Sequence, residues 1–415
     1  MNATTSQRFL QLAVLASAIF LAIAPLTHTM ALRNVAQYVA FFATVFLWWQ
    51  AGKPRLPLWQ PLVIWGALAC LSLAWSIDPA LSRSAIWTQW LRPVVAFWVF
   101  HHLAMNYGQP WPWLWASCLS LLALSVGGFI SSIGQPVWHE IWFIPALADY
   151  TGTVAFALPL TLGLLFQAAW RSRIPATLLP PLFILPVALS MGGWMAASRA
   201  FWVVPVAMMS LGIVLHASFV SRISAKGIIR VGILLAVCML VGLLSSKLGT
   251  TRGYFDFYER AILYRESFLH MLENPWLGSG FGHEINRAWH QTYSSQTWIP
   301  HSHNLLLEYG GQLGIPGIAV ILWVFWSLGH AFWQFLRHPD VNVQWLALLG
   351  TVLVASAFLL NMPNVYLVRH NAMLFFAHAG LLLGLLHRAV ADSGLRTNAQ
   401  TSAPENSVGS RAIPS

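Results

Sequence analysis

Runs of apolar residues recur along almost the whole chain, beginning near Phe9, Val35, Leu58, Ser84, Trp113, Thr151, Pro175, Ala200, Ile228, Gly314, Val343 and Asn371. A bilayer core takes about 20 helical residues to cross. In lipid every backbone polar group must find its partner inside the protein, so such runs are helices. The pattern predicts an all-α fold, a polytopic transmembrane helical bundle of about 12 helices. Charged residues make up 8% of the chain, against about 25% in soluble domains, so most of the surface faces lipid or other apolar helices. Many of the 23 Trp fall near span ends, among them Trp48, Trp49, Trp59, Trp75, Trp111 and Trp113, where an indole meets apolar and wet surroundings at once. The run from Phe9 has the length of a signal peptide, but further spans follow at once, so it reads as a retained helix. Pro180, Pro181 and Pro186 lie inside a span and predict kinks.

Lysine and arginine set the orientation. With a cytoplasmic N-terminus, that side holds Arg8, Lys53, Arg55, Arg171, Arg173, Arg222, Lys226, Arg230, Arg337, Arg388, Arg396 and Arg411. The opposite short loops hold Arg33, Arg83, Arg199 and Arg369. Twelve against four predicts both termini inside. The domain reading is then helices 1–9 over residues 1–245, and a large periplasmic loop between helices 9 and 10 over 246–302. Helices 10–12 with their periplasmic start follow over 303–391, and a disordered cytoplasmic tail over 392–415.

The formal net charge of +10 forms no compact basic domain, which argues against nucleic acid as a partner. Cys70, Cys118 and Cys238 each sit in an apolar run, without metal-ligand spacing or a disulfide framework.

The long outer loop carries the chemistry. It holds Arg252, Arg260, Arg265 and Arg287 with His270, His283, His290, His301 and His303, more cations and imidazoles than a connection needs. A solvated charged loop is the plainer alternative. The loop ends in Pro300-His301-Ser302-His303-Asn304, followed by Glu308 and an apolar helix bearing Gly310, Gly311, Gly314 and Gly317. His303 therefore lies near a helix N-terminus, where the dipole disfavours imidazolium and favours the neutral ring a general base needs. Asn304 and Glu308, four apart, share a helix face. The glycines allow close helix contact. His301 and His303 could also be two metal ligands on a strand, or a structural pair, though no acidic cluster completes a metal site. Arg83, Arg199, Arg252 and Arg265 gather on the same side, and Arg92 is carried just below them at membrane depth, where a charge is by default functional, with snorkelling to the interface as the plainer alternative. Guanidinium matches phosphate oxygens bidentately, so the expected partner is a phosphate or pyrophosphate. Gly278-Ser279-Gly280-Phe281-Gly282 neither follows a strand nor opens a clear helix, so it is no nucleotide fingerprint, and neither a Walker A nor an HExxH motif is present.

His303-Asn304, nine residues, then Gly314-Ile315-Pro316-Gly317 resembles the signature of bacterial O-antigen ligases. Arg265-Glu266-Ser267-Phe268-Leu269 resembles the Arg-x-x-x-Leu element of that family, and Asn274-Pro275-Trp276-Leu277-Gly278-Ser279-Gly280 the segment between the two. The resemblance implies an inner-membrane glycosyltransferase of lipopolysaccharide biosynthesis whose active site faces the periplasm. The implied donor is O-antigen on undecaprenyl pyrophosphate, and the implied acceptor a hydroxyl of the lipid A-core oligosaccharide, both reached among membrane lipids. It further implies inversion at the anomeric carbon without metal, nucleotide or other cofactor. His303 would be the base and His301 an orienting or sharing partner. Arg199 and Arg265, with Arg83, Arg92 and Arg252, would hold pyrophosphate, and Asn304 would lie at the substrate. O-antigen polymerases and protein O-oligosaccharyltransferases share the superfamily, and a transporter of an anionic or lipid-linked substrate is the alternative of another class.

Overall fold

A computed structural model describes residues 3–52, 56–132, 153, 156, 157, 161, 163, 255–293, 302–362, 365 and 367–401. Every secondary-structure element among them is helical. The helices are α1 (Ala3–Ile23), α2 (Met30–Ala51), α3 (Trp59–Leu71), α4 (Pro79–Ala85), α5 (Arg92–Tyr107), α6 (Trp111–Ser132), α7 (Phe255–Glu273), α8 (His283–Tyr293), α9 (Leu305–Trp333), α10 (Val341–Leu360) and α11 (Arg369–Thr401). Among the described residues five segments are long and apolar enough to cross a membrane: Thr5–Ile23, Met30–Gln50, Leu305–Trp333, Val341–Leu360 and His370–Gly394. Trp59–Ala74 and Trp111–Leu124 are shorter apolar helices. The spans expected from Pro175, Ala200 and Ile228 lie outside the described residues, as does most of the one from Thr151. Helix α11 continues past residue 392 to Thr401, with Arg388 paired to Asp392 one turn on at 3.1 Å.

The core is a set of buried apolar side chains from α1 to α6 and α9 to α11, with Trp65, Phe97, Phe332 and Phe375 among its largest fully buried members. Helices α5 and α11 approach most closely. A Cβ on Gly380 would stand 2.1 Å from the Phe97 carbonyl oxygen, and one on Gly384 2.3 Å from that of His101. This is small-xxx-small packing, in which glycine lets two backbones touch. Trp323, Trp326 and Trp333 on the outer face of α9 stay exposed for lipid.

The span expected from Ser84 is one bent unit. Asp78 caps α4 by accepting from Ala80 N and Leu81 N, both at 3.0 Å. A π-helical stretch over Ile86–Leu91 then leads into α5. Pro93 lacks the N–H that the Gln89 carbonyl would accept in an α-helix, and the widened turn adjoins it.

The described part of the segment before His303 contains two helices, α7 and α8, where the sequence reading expected a loop. Leu263, Ser267, His270 and Met271 are all buried, a 3.6-residue stripe turned to the bundle. Gly310 and Gly311 let these helices approach α9, since a Cβ there would stand 2.6 Å from Met271 Sδ and 2.9 Å from Asn286 Oδ1.

Helix α9 breaks at Gly314, with φ 65° and ψ −158°, backbone that essentially only glycine adopts. The segment between α7 and α8 fills the break. Pro316 has no N–H for the Gln312 carbonyl, and Gly280 N supplies one at 2.9 Å. Ile315 N turns to the Pro275 carbonyl at 2.7 Å, and Ser279 N donates to Gly311 O at 2.9 Å. Three backbone groups at the kink, Gly311 O, Gln312 O and Ile315 N, are thus paired, as burial demands. The Gly314-Ile315-Pro316-Gly317 and Asn274–Gly280 motifs are two halves of one joint.

Candidate active site

Polar groups converge at one end of the bundle, where the α1–α2 turn, α4, α7, α8 and the starts of α9 and α11 meet. A cavity of about 660 Å³ opens there, lined among others by Arg33, Thr88, Gln89, Arg92, Glu284 and His370.

Arg92 is only 9% exposed. Its Nε and Nη2 donate to Gln37 Oε1 at 3.0 and 2.7 Å, and Nη2 also donates to Asn34 Oδ1 at 2.5 Å. Gln37 Nε2 returns a bond to the Arg92 carbonyl at 3.3 Å. These partners are neutral amides. Among the described residues no carboxylate is hydrogen-bonded to Arg92, so its guanidinium faces the cavity held by amides alone, with Glu284 elsewhere in the lining. Arg33 Nη1 donates to the Ala24 carbonyl at 2.9 Å at the same cavity.

Beside the cavity lies a closed network around Glu308, 1% exposed in the first turn of α9. Glu308 Oε1 faces His283 Nδ1 at 3.0 Å and accepts from Gln312 Nε2 at 3.2 Å. Oε2 accepts from Ser302 N at 3.2 Å and Ser302 Oγ at 2.8 Å. Asn286 Nδ2 donates to the Glu308 carbonyl at 2.8 Å. Gln89, which lines the cavity, accepts from His283 N at 3.1 Å, so the network runs from the cavity wall to the residue before His303.

His303 stands just outside α9 with φ 51°, a left-handed conformation uncommon for a non-glycine residue. Ser302 on one side is bound to Glu308, and on the other Asn304 caps the helix. Asn304 Oδ1 accepts from Leu306 N at 2.9 Å and Leu307 N at 3.1 Å, and Nδ2 donates to the Met362 carbonyl at 3.0 Å. Tyr264 of α7 donates to the His303 carbonyl at 3.3 Å. Strain held by its surroundings in this way marks candidate functional positions.

Farther from the cavity, His270 and Trp289 stack at 3.8 Å, and His270 Nε2 lies 2.6 Å from Ser279 Oγ. Burial pushes the His270 imidazole down to about 3, with His290 lowering it further and Glu308 opposing. Burial also lowers His290. These rings are neutral packing elements between α7, α8 and the joint.

The structure brings His303, Asn304, Arg92 and the Arg265 turn of α7 to one end. Arg265 adjoins Tyr264 and is exposed, and Arg83 is exposed on α4. Neither lines the cavity. His301, Arg199 and Arg252 lie outside the described residues. Sequence reasoning passed over Glu308 as a site residue, along with His283, Gln89, Gln37 and Asn34. Glu308 did carry a signal, since a lone carboxylate in a long apolar helix is costly and asks for a function.

Fold and site together define a class, a helical membrane protein that gathers buried charge and histidine at one end of its bundle. Residues 142–322 match the family model described as O-antigen ligase. This match supports membership of the O-antigen ligase family and points to the O-antigen ligase/polymerase superfamily of glycosyltransferase-like enzymes. No curated protein matches it significantly.

Proposed function

We propose that the protein is an O-antigen ligase of the bacterial inner membrane. It would move O-antigen polysaccharide from undecaprenyl pyrophosphate to a lipid A-core hydroxyl at the periplasmic face. The observation that carries this reading is the Arg92 guanidinium, held by neutral amides at a cavity of about 660 Å³, whose wall is linked from Gln89 through His283, Glu308 and Ser302 to the strained His303. A buried cation held by neutral amides is ready for an anion, and pyrophosphate presents paired oxygens to a guanidinium fork.

In this reading His303 takes the proton of the acceptor hydroxyl. The oxygen attacks the anomeric carbon of the donor from the face opposite pyrophosphate, inverting it. The carbon–oxygen bond to pyrophosphate breaks, and its electron pair leaves with the phosphate oxygen. Arg92 meets the charge that develops there, and Arg199, Arg265, Arg83 and Arg252 would share the binding of the pyrophosphate. His301 orients the site. Asn304 acts by capping α9 and so fixing His303, since its amide already makes three bonds.

A deletion strain tests the reading through its lipopolysaccharide gel pattern. A ligase predicts complete loss of the O-antigen ladder with lipid-linked polysaccharide retained. Loss of long chains with one repeat still on the core would mean a polymerase, and an unchanged ladder would remove the proposal.

A further inference from the structure

We propose that Glu308 is a positioning residue for His303, an inference that rests on reading His303 as the base. A buried carboxylate is costly unless donors surround it. The donors facing Glu308 come from three separate pieces of chain. They are His283 at the start of α8, Gln312 one turn along α9, and both the N–H and the hydroxyl of Ser302. Among the described residues only the last group touches the segment that carries His303, and it does so immediately before a residue with φ 51°.

A left-handed histidine relaxes toward ordinary backbone unless both neighbours are pinned. Asn304 is pinned by its cap, and Ser302 by the carboxylate. Glu308 therefore fixes the direction in which the imidazole leaves the backbone. Its side chain reaches Ser302, not the imidazole, so it acts through another residue. His283 holds the opposite oxygen at 3.0 Å and ties it to the cavity wall through Gln89.

Glu308→Gln separates this role from packing. The amide has the carboxylate's shape, but only one acceptor oxygen. Its NH₂ must face either the two Ser302 donors, which breaks the Ser302 arm, or Gln312 Nε2 and the His283 ring, where the Gln312 bond is lost and His283 must change tautomer to accept. Misplacing a catalytic group by about 1 Å can cost roughly 100-fold in rate. The expectation for E308Q is a fall in kcat of about 10- to 100-fold, with the donor KM within about twofold.

The experiment measures kcat and donor KM for purified full-length wild type, E308Q, H303A and the double variant. The donor is an undecaprenyl-pyrophosphate-linked oligosaccharide and the acceptor lipid A-core. E308Q should lower kcat in the wild-type background and change nothing further in H303A. A wild-type kcat for E308Q, or an equal loss in both backgrounds, overturns the proposal. If E308Q does not purify folded, Ser302→Ala, which removes only the hydroxyl arm, is read by the same rule. H303A with wild-type kcat is a different failure, because it removes the base reading beneath the proposal.

Discussion

Arg92 and Glu308 are both charged, both buried and both near the same cavity, yet their surroundings differ in kind. Glu308 has donors on both oxygens, drawn from α8, α9 and the segment before α9. Arg92 has two neutral amides from α2 and open space beyond. A buried charge surrounded by complementary dipoles rigidifies its neighbourhood. One left partly unmatched beside a cavity retains affinity for whatever completes it. The first arrangement builds a frame and the second awaits a ligand, and His303 stands on the frame's edge.

The comparison breaks first at His303. A general base contributes about 10²–10⁴-fold, so His303→Ala should lower turnover by that much in folded protein, measured with purified donor and acceptor. Turnover near wild type would leave the frame with nothing to position.

The joint supporting the frame is next. Gly314→Ala would put a Cβ 2.4 Å from the Pro275 carbonyl oxygen in backbone with φ 65°. Overpacking of this kind costs about 1–3 kcal/mol, and thermal unfolding in detergent should show a clear drop in Tm. A neutral result would mean the joint is looser than the frame requires.

A smaller effect is expected at Asn304→Ala. Losing an N-cap costs about 1 kcal/mol, so stability should fall modestly, and turnover should fall further because one of the two neighbours that pin His303 is then released. A stability loss with turnover unchanged would separate the cap from the site.

Acid should act most gently, through His270. Its pKa is about 3 in the folded protein against an ordinary 6.5, so the unfolded chain binds more protons between those values. Its contribution is therefore full above pH 6.5 and is lost as pH falls toward 3. His270→Gln should flatten the pH dependence of Tm over that window, and an unchanged slope would show that other groups carry it.

How much of this was legible in the sequence follows the range of each interaction. Asn304 before an apolar run, and Gly314-Ile315-Pro316-Gly317 within it, are local signals, and they mark the start and the break of α9. The loop helices were missed because the outer loop was read for its charge. Helix α7 buries Ser267 and His270 along with Leu263 and Met271, a stripe too polar to stand out. The Glu308–His283 pair joins positions 25 apart, and Arg92 reaches Gln37 across 55. No periodicity connects such residues, because tertiary packing alone brings them together. Arg92 was marked by its depth in an apolar run, a cost that can be read without knowing its partners.

The most direct measurement of the central claim is equilibrium binding of an undecaprenyl-pyrophosphate-linked oligosaccharide to wild type, Arg92→Met and His303→Ala in detergent. Hydrogen bonds to charged groups are worth about 1.5–3 kcal/mol, so Arg92→Met should weaken donor binding by roughly 10- to 100-fold. His303→Ala should bind like wild type, because an imidazole that meets a hydroxyl proton only as bonds change adds nothing to ground-state affinity. Equal binding by Arg92→Met and wild type, or a loss confined to His303→Ala, would contradict the division between a ligand-seeking cation and a positioned base.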